Sequence, residues 1–230
     1  MPRRPSSSSR ARDLAAFCIV VIAAGFASFG SADLNGAVRQ TQRHHVQIAM
    51  TSSDGHYSYV GQPVTFTITL TSEFGPIPDG ETVFFEAADQ PIGTGTTLNG
   101  VATFTTSSLP ARQYEIQGDY PGDDTFGSAF TQIKQVVSKW GTSTNLAASA
   151  NPAIAGQPVT FTATVISQGP VTPTGSVRLP DIGVVPLVNG VATITKTGLH
   201  TGTHVIVATY NGDAASADSK SAPFEEVVNP

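Results

Sequence analysis

The stretch Gly61-Gln62-Pro63-Val64-Thr65-Phe66-Thr67 returns as Gly156-Gln157-Pro158-Val159-Thr160-Phe161-Thr162, an offset of 95 residues (156 − 61). Outward from it, Asn99-Gly100-Val101-Ala102-Thr103 returns as Asn189-Gly190-Val191-Ala192-Thr193. Tyr120-Pro121-Gly122-Asp123 returns as Tyr210-Asn211-Gly212-Asp213, and both of these pairs are offset by 90 (189 − 99 and 210 − 120). Three matches in the same order mean one module written twice, with five extra residues (95 − 90) in the first copy between Thr67 and Asn99. At roughly 95 residues, each copy is long enough to bury a core of its own.

The grammar of the module is β. Val64, Phe66, Ile68 and Leu70 alternate with Thr65, Thr67 and Thr69. Val159, Phe161, Ala163 and Val165 alternate in the same way with Thr160, Thr162 and Thr164. Period two with β-branched polar residues on the other face describes a half-buried strand. Pro63 and Pro158 stand at the strand start, where a sheet accepts proline. Asn99-Gly100 and Asn189-Gly190 lie between apolar segments. Both central residues of a type I′ turn need positive φ, so each pair predicts a hairpin, the first from a strand ending near Leu98 into one containing Ala102 and Phe104.

A later strand reads Tyr114, Ile116, Gly118, Tyr120, matched by His204, Ile206, Ala208, Tyr210. A final strand follows near Ala129 to Val137 and Lys220 to Val228. No segment after residue 45 carries a helical period. Short strands with turn signals at intervals of about 8–12 residues predict an all-β chain of two tandem antiparallel Greek-key sandwiches. The expected core is Val64, Phe66, Ile68, Val83, Phe85, Ala102, Phe104, Ile116 and Tyr120. Its counterpart is Val159, Phe161, Val165, Val177, Leu179, Ala192, Ile194, Ile206 and Tyr210. Phe84-Phe85 leaves the strand phase open there.

The ends read differently. Arg3, Arg4, Arg10 and Arg12 precede an apolar run from Leu14 to Phe29, and Gly30-Ser31-Ala32 fits a signal peptidase site, with a cut after Ala27 as second choice. Residues 1–32 are therefore expected to be a signal peptide, and the membrane is a partner only if this segment stays uncleaved. Residues 33–45 read as a polar disordered tail. The domains follow as 46–137 and 143–229, joined by a linker, 138–142, in which Trp140 packs between the modules. The only cysteine, Cys18, lies in the export segment, so a mature chain relies on core packing without a disulfide. Removing residues 1–32 leaves eight Lys and Arg against sixteen Asp and Glu, 8 − 16 = −8, which argues against nucleic acid or anionic lipid as partner. The chain ends at Glu225-Glu226-Val227-Val228-Asn229-Pro230 much as the first copy ends at Val136-Val137. It reads either as a small secreted protein or as the start of a longer array.

The set Gly-Gln-Pro-Val-Thr-Phe-Thr, Pro-Thr-Gly-x-Val, Asn-Gly-Val-Ala-Thr, Gly-Thr-His and Tyr-x-Gly-Asp resembles the bacterial immunoglobulin-like repeats of group 3. The second copy carries Pro173-Thr174-Gly175-Ser176-Val177, Gly202-Thr203-His204 and Tyr210-Asn211-Gly212-Asp213. The first departs, with Pro78-Asp79-Gly80-Glu81 and Ala111-Arg112-Gln113-Tyr114. The resemblance covers roughly residues 46–229. It implies immunoglobulin-like sandwiches of secreted and cell-surface proteins, used as spacers, stalks and adhesive or carbohydrate-associated modules, with no shared catalytic residues. Fold alone does not fix function.

Candidate sites are few. Asp119, Asp123 and Asp124 cluster at the turn after Tyr120, with Asp54 in an early loop that approaches it, and could begin a calcium site, which needs six to eight oxygens. The competing reading is a turn in which Asp123 bonds its own backbone. The second copy keeps Asp213 but has Thr209 and Ala214 for Asp119 and Asp124, so the shared aspartate reads as structural. His200 and His204 could form a metal pair, but Pro110 and Tyr114 replace them in the first copy, which suggests packing. Tyr120 and Tyr210 read as buried tyrosines with one bonded hydroxyl, structural residues along with the Asn-Gly pairs. Tyr57, Tyr59 and Trp140 are the aromatics available to stack on a carbohydrate. The expected function is an exported, non-catalytic spacer or adhesion module without cofactor. The alternative is a module binding a surface glycan or protein, calcium-dependent or by strand addition to a free sheet edge.

Overall fold

In the computed structural model, residues 42–230 are described; the expected signal peptide and most of the tail lie outside them. Every regular element among the described residues is a strand. The first repeat contributes β1 (Gln47–Ser52), β2 (Tyr57–Tyr59), β3 (Val64–Thr71), β4 (Thr82–Ala87), β5 (Gln90–Thr96), β6 (Val101–Thr106), β7 (Arg112–Tyr120) and β8 (Ala129–Ser138). They form one sheet in the order β1-β3-β6 and a second in the order β2-β8-β7-β4-β5. The alternation in β3 does what its sequence requires: Val64, Phe66, Ile68 and Leu70 are buried, and the threonines face outward. Phe85 is buried and Phe84 exposed, which settles the phase of that strand.

The second repeat contributes β9 (Thr142–Ala148), β10 (Ala153–Ile154), β11 (Val159–Ser167), β12 (Ser176–Leu179), β13 (Gly183–Pro186) and β14 (Val191–Lys196). β15 (Gly202–Ile206), β16 (Thr209–Tyr210), β17 (Ser219–Lys220) and β18 (Phe224–Asn229) complete it. The sheet β14-β11-β9 matches the first repeat. The other sheet is divided into β10-β18-β15 and β13-β12-β16-β17. Its interruption has a local cause. Between the paired residues Thr209↔Lys220 and Ile206↔Phe224, two residues on one strand oppose three on the other. Pro223 among the three cannot donate to a ladder. The Ser221 hydroxyl fills in by accepting from the Ala208 amide at 3.0 Å.

Two expectations about strand pairing change. Neither sandwich is wholly antiparallel: β2 runs parallel to β8 and β10 parallel to β18. The first segment of each repeat pairs with one sheet as β1 or β9, then turns and joins the other as β2 or β10. The Asn-Gly pairs form their tight turns, with φ of 53° and 74° at Asn99 and Gly100 and of 51° and 79° at Asn189 and Gly190. Leu98 and Val101 exchange both backbone hydrogen bonds, at 2.8 and 3.1 Å. Yet β5 and β6 belong to different sheets, so the turn is a crossing between layers and not the end of a long hairpin. The Gly100 carbonyl accepts from the Leu70 amide at 2.8 Å, and a Cβ on Gly100 would stand 2.7 Å from the Leu70 oxygen. The glycine is required by close approach as well as by φ.

The motif that decides the fold also has a local account. Gln62 N–H donates to the Tyr59 carbonyl at 2.9 Å across a turn with Gly61 at φ 82°, and Gln157 repeats this onto Ile154 at 2.9 Å around Gly156 at φ 83°. A positive φ at the third residue is the type II requirement that selects glycine. The glutamine side chain closes the turn from the other side, accepting from the Tyr59 amide at 3.2 Å and, in the second repeat, from the Ile154 amide at 3.0 Å. Proline then opens β3 or β11.

The expected core residues are buried, except that Phe104 and Ile194 are partly buried against their clusters. Met50, Leu70, Tyr114, Phe126 and Val137 extend the first core, and Ala153, Ala208 and Val228 the second. His44, expected in a disordered tail, is part of the first sandwich. Its amide donates to Thr125 O and its carbonyl accepts from Gly127 N, both at 2.8 Å. Its ring stacks on Phe74 with centroids 4.2 Å apart.

Candidate functional site

The aspartates expected as a calcium site are not brought together. Asp123 Oδ1 accepts from the amides of Thr125, at 2.6 Å, and Phe126. Asp119 Oδ2 accepts from Gln117 Nε2 at 2.8 Å on the outer face of the sheet. Asp54 accepts from Ser52 Oγ at 2.6 Å and from Gln135 Nε2 at 3.2 Å, on the stretch of β8 that pairs with Tyr114 and not the stretch that pairs with Asp119. Five residues of strand separate those two pairs, roughly 17 Å. No hydrogen bond joins Asp124 to this turn among the described residues, which also hold no group of three or more acidic, histidine or cysteine side chains placed to share a metal ion.

Asp213 shows what the shared aspartate does. Its Oδ1 accepts from Ala215 N at 2.8 Å and Ser216 N at 2.6 Å, and its Oδ2 from Thr174 N at 2.8 Å and Thr174 Oγ1 at 2.7 Å. Burial opposes ionisation, but these four hydrogen bonds outweigh it and hold the carboxyl well below the usual carboxylate range. The Tyr-x-Gly-Asp and Pro-Thr-Gly motifs of the second repeat are thus two halves of one contact. In the first repeat Asp79 stands for Thr174 and turns instead to the Asn99 amide, 2.6 Å away.

The tyrosines are buried, as their spacing predicts, but their hydroxyls have no hydrogen-bond partner among the described residues. Burial first, then the charges of Asp123 and Glu81, push the Tyr120 phenol up to about 12; burial and then Asp213 raise that of Tyr210. The bonded corner residue is Tyr114, whose Oη donates to Pro110 O at 2.8 Å. His204 makes the same contact, its Nε2–H donating to His200 O at 2.8 Å. Histidine replaces tyrosine here because both reach the carbonyl four residues back. The Nε2 proton that bond requires leaves the nitrogen no lone pair for a metal.

What the structure does assemble is a joint. Three residues, Lys139–Gly141, separate β8 from β9. Trp140 is bonded to the second sandwich through its backbone, donating to Ala215 O and accepting from Ala217 N, both at 2.8 Å. Its indole stacks on Tyr59 of the first sandwich, centroids 4.2 Å apart and planes 16° off parallel, and its Nε1–H donates to Val60 O at 3.0 Å. A Cβ on Gly169 would stand 2.0 Å from the indole. Lys139 Nζ donates to Asp213 O. Tyr59 and Trp140, expected as carbohydrate-stacking aromatics, are spent on each other, and Tyr57 alone of the three stands free, 71% exposed. Sequence reading missed a different aromatic pair, Phe84 (43% exposed) and Phe130 (68% exposed). The signal was present in the outward phase of β8 and in the residue before Phe85.

A three-stranded sheet packed on a larger one, written twice in tandem, defines the class of immunoglobulin-like β-sandwich repeats. The sequence profile of the bacterial Ig-like domain (group 3) matches residues 50–138 and 146–229, and the chain belongs to this family. Among solved structures, an integrin-binding bacterial invasin is similar at 17% identity and a TM-score of 0.49, over 80% of this chain and 39% of that one. The adhesin InvE of Yersinia pseudotuberculosis is similar at 13% identity and a TM-score of 0.42, over 80% of this chain and 59% of that one. Fibronectin(III)-like modules of CbhA from Clostridium thermocellum are similar at 17% identity and a TM-score of 0.31, over 79% of this chain and 93% of that one. A search of curated proteins returns no match.

Proposed function

We propose that the chain is an exported, non-catalytic spacer or adhesion segment of the bacterial surface, which holds what it carries at a set distance. The observation that supports this most directly is the joint. A flexible tether needs a long Gly/Ser-rich linker. Here a three-residue linker is bonded by backbone to one sandwich and stacked by its tryptophan on the other. Such a coupling transmits orientation from one module to the next, which a stalk requires and a pair of independently tethered binding heads does not.

The test is fractionation of a C-terminally tagged full-length chain with intact mass. The proposal expects a chain beginning near Asp33 outside the cytoplasm, or a full-length chain in the membrane fraction cut by external protease. A full-length chain recovered only from the cytosol overturns it.

A further inference from the structure

The two sandwiches present the same row of the same sheet with opposite chemistry. In the first, Thr94, Phe84, Asp119 and Phe130 lie directly opposite one another across β5, β4, β7 and β8. In the second, Val184, Arg178, Thr209 and Lys220 lie opposite one another across β13, β12, β16 and β17. Residues directly opposed across a sheet share a face. Both rows are on the outer face: Phe84, Phe130, Arg178 and Lys220 are exposed, Asp119 and Thr209 half-buried.

Two strand spacings separate Phe84 from Phe130, and the same two spacings separate Arg178 from Lys220, about 10 Å in each case. Two aromatic rings flanking a carboxylate therefore have the same pitch as two cations flanking a hydroxyl. We infer that the outer sheet face of the first sandwich docks against the outer sheet face of the second sandwich in another copy of this chain. In that contact Arg178 and Lys220 lie over the Phe84 and Phe130 rings, and Thr209 Oγ1–H donates to Asp119.

Several observations single out a second copy as the occupant. The first row carries an anionic centre and the second two cations, so like faces repel or gain nothing and unlike faces attract. Glu86 adds to the negative charge of the first face, one row along β4 from Phe84. Val184, 63% exposed beside Arg178, extends the second face with an apolar end. The pitch match follows from the repeat itself, because both rows descend from one module. Among the described residues Asp119 Oδ1 has no hydrogen-bond partner, while Oδ2 is held by Gln117, which fixes the carboxylate on this face.

The contact is heterologous, since each chain offers one face of each kind. It does not close on two copies and builds an open chain of molecules. It is also weak per contact, because exposed cation–π pairs contribute little singly, and it gains strength where many copies are held on one surface. It holds whether or not the chain is exported, so its failure and the failure of the export reading are separable.

Sedimentation velocity on the full chain tests it, at loading concentrations spanning about 0.01–1 mM. The wild type is expected to show a weight-average sedimentation coefficient that rises with concentration and falls with added salt. The double variants F84S/F130S and R178E/K220E each weaken association about tenfold or more. All four positions are exposed, and an unchanged circular dichroism melt confirms that each variant folds. Mixed one to one, the variants restore a single intact contact, between the unaltered first face of R178E/K220E and the unaltered second face of F84S/F130S. The mixture is expected to form dimers and stop there. A wild type monomeric at every concentration overturns the inference, as does either variant associating like wild type, or a mixture that stays monomeric while the wild type assembles.

Discussion

Glu226 occupies in the second sandwich the position that Gln135 occupies in the first, and only Gln135 has partners. Each lies directly across from the corner residue, Gln135 from Tyr114 and Glu226 from His204, and each is fully buried. Gln135 Nε2 donates to Ser58 Oγ at 3.1 Å and Asp54 Oδ2 at 3.2 Å, and Oε1 accepts from Ser52 Oγ at 2.9 Å. The positions corresponding to Ser52, Asp54 and Ser58 in the second repeat are Ala148, Ala150 and Ala153. Both Glu226 oxygens are left without a partner among the described residues.

Burial pushes the Glu226 carboxyl up from its ordinary 4.5, opposed by the facing His204. A raised folded-state value means that this group's stabilising contribution is complete below pH 4.5 and lost as pH rises through the folded value. Glu226→Leu is expected to raise the stability of the second sandwich at pH 7 by about 1–3 kcal/mol and to have little effect at pH 4. Urea melts at the two pH values check it. Equal effects at both would show that the carboxylate is solvated.

Asp213 has the opposite sign. Its folded value is depressed, so its contribution is complete above 3.8 and lost as pH falls through the folded value. Taken together, the two groups place their joint optimum for the second sandwich at about pH 4. Asp213→Ala is expected to cost about 2 kcal/mol at pH 7, since charged hydrogen bonds are lost and the partly buried amides of Ala215 and Ser216 are orphaned. Asp79→Thr makes the reciprocal change in the first repeat, giving Asp123 the partner that Asp213 has in Thr174. A gain of about 1 kcal/mol in the first sandwich is expected. A loss there would mean that the Asp79 contact with the Asn99 amide is worth more than the one created.

The joint can be broken from a distance. A Cβ on Gly169 would stand 2.0 Å from Trp140, so Gly169→Ala forces the ring or the loop to shift and is expected to displace the indole from its stack on Tyr59. Trp140 is the only tryptophan, so its fluorescence reports the joint alone. A red shift is expected, with a wider distribution of distances between spin labels placed one in each sandwich in a Cys18→Ser background. The melting temperatures of the sandwiches should move by only a few degrees, because the contact lies outside both cores. An unshifted emission spectrum would show that the loop carrying Gly169 yields and the ring does not.

Period-two alternation made β3 and β11 legible because a sheet buried on one face writes its orientation into every second residue. The Asn-Gly turns were legible as turns, from φ alone. Their role as layer crossings was not, because the choice between pairing β5 with β6 and sending them to different sheets rests on long-range partners such as the Leu70 amide. The Asp213–Thr174 contact left its mark as two motifs, but nothing local says that residues 39 apart meet. Phe84 and Phe130 escaped notice as a pair because their adjacency is written in the register of three strands. Glu226 carries no local mark of its burial, and the loss of its partners to Ala148, Ala150 and Ala153 emerges only from the strand register.

That same alignment shows one core solved twice. A Cβ on Gly118 would stand 2.1 Å from Ile68 Cδ1, and both residues are buried. In the second repeat the equivalent residues are Ala208 and Ala163, both 0% exposed. The first repeat gives the volume to β3, while the second divides it between the two strands. Gly118→Ala alone overpacks this contact and is expected to cost about 1–3 kcal/mol. Ile68→Ala alone leaves a cavity and is expected to cost about 2–5 kcal/mol. Because the two changes act on one space, the double variant should be more stable than the sum of the single costs allows, with a coupling of about 1 kcal/mol or more. Chemical denaturation of the four chains in a double-mutant cycle measures it. Strict additivity would show that the first core relaxes around Ile68 independently of Gly118, and that the alanine pair in the second repeat is not a compensated solution to the same packing problem.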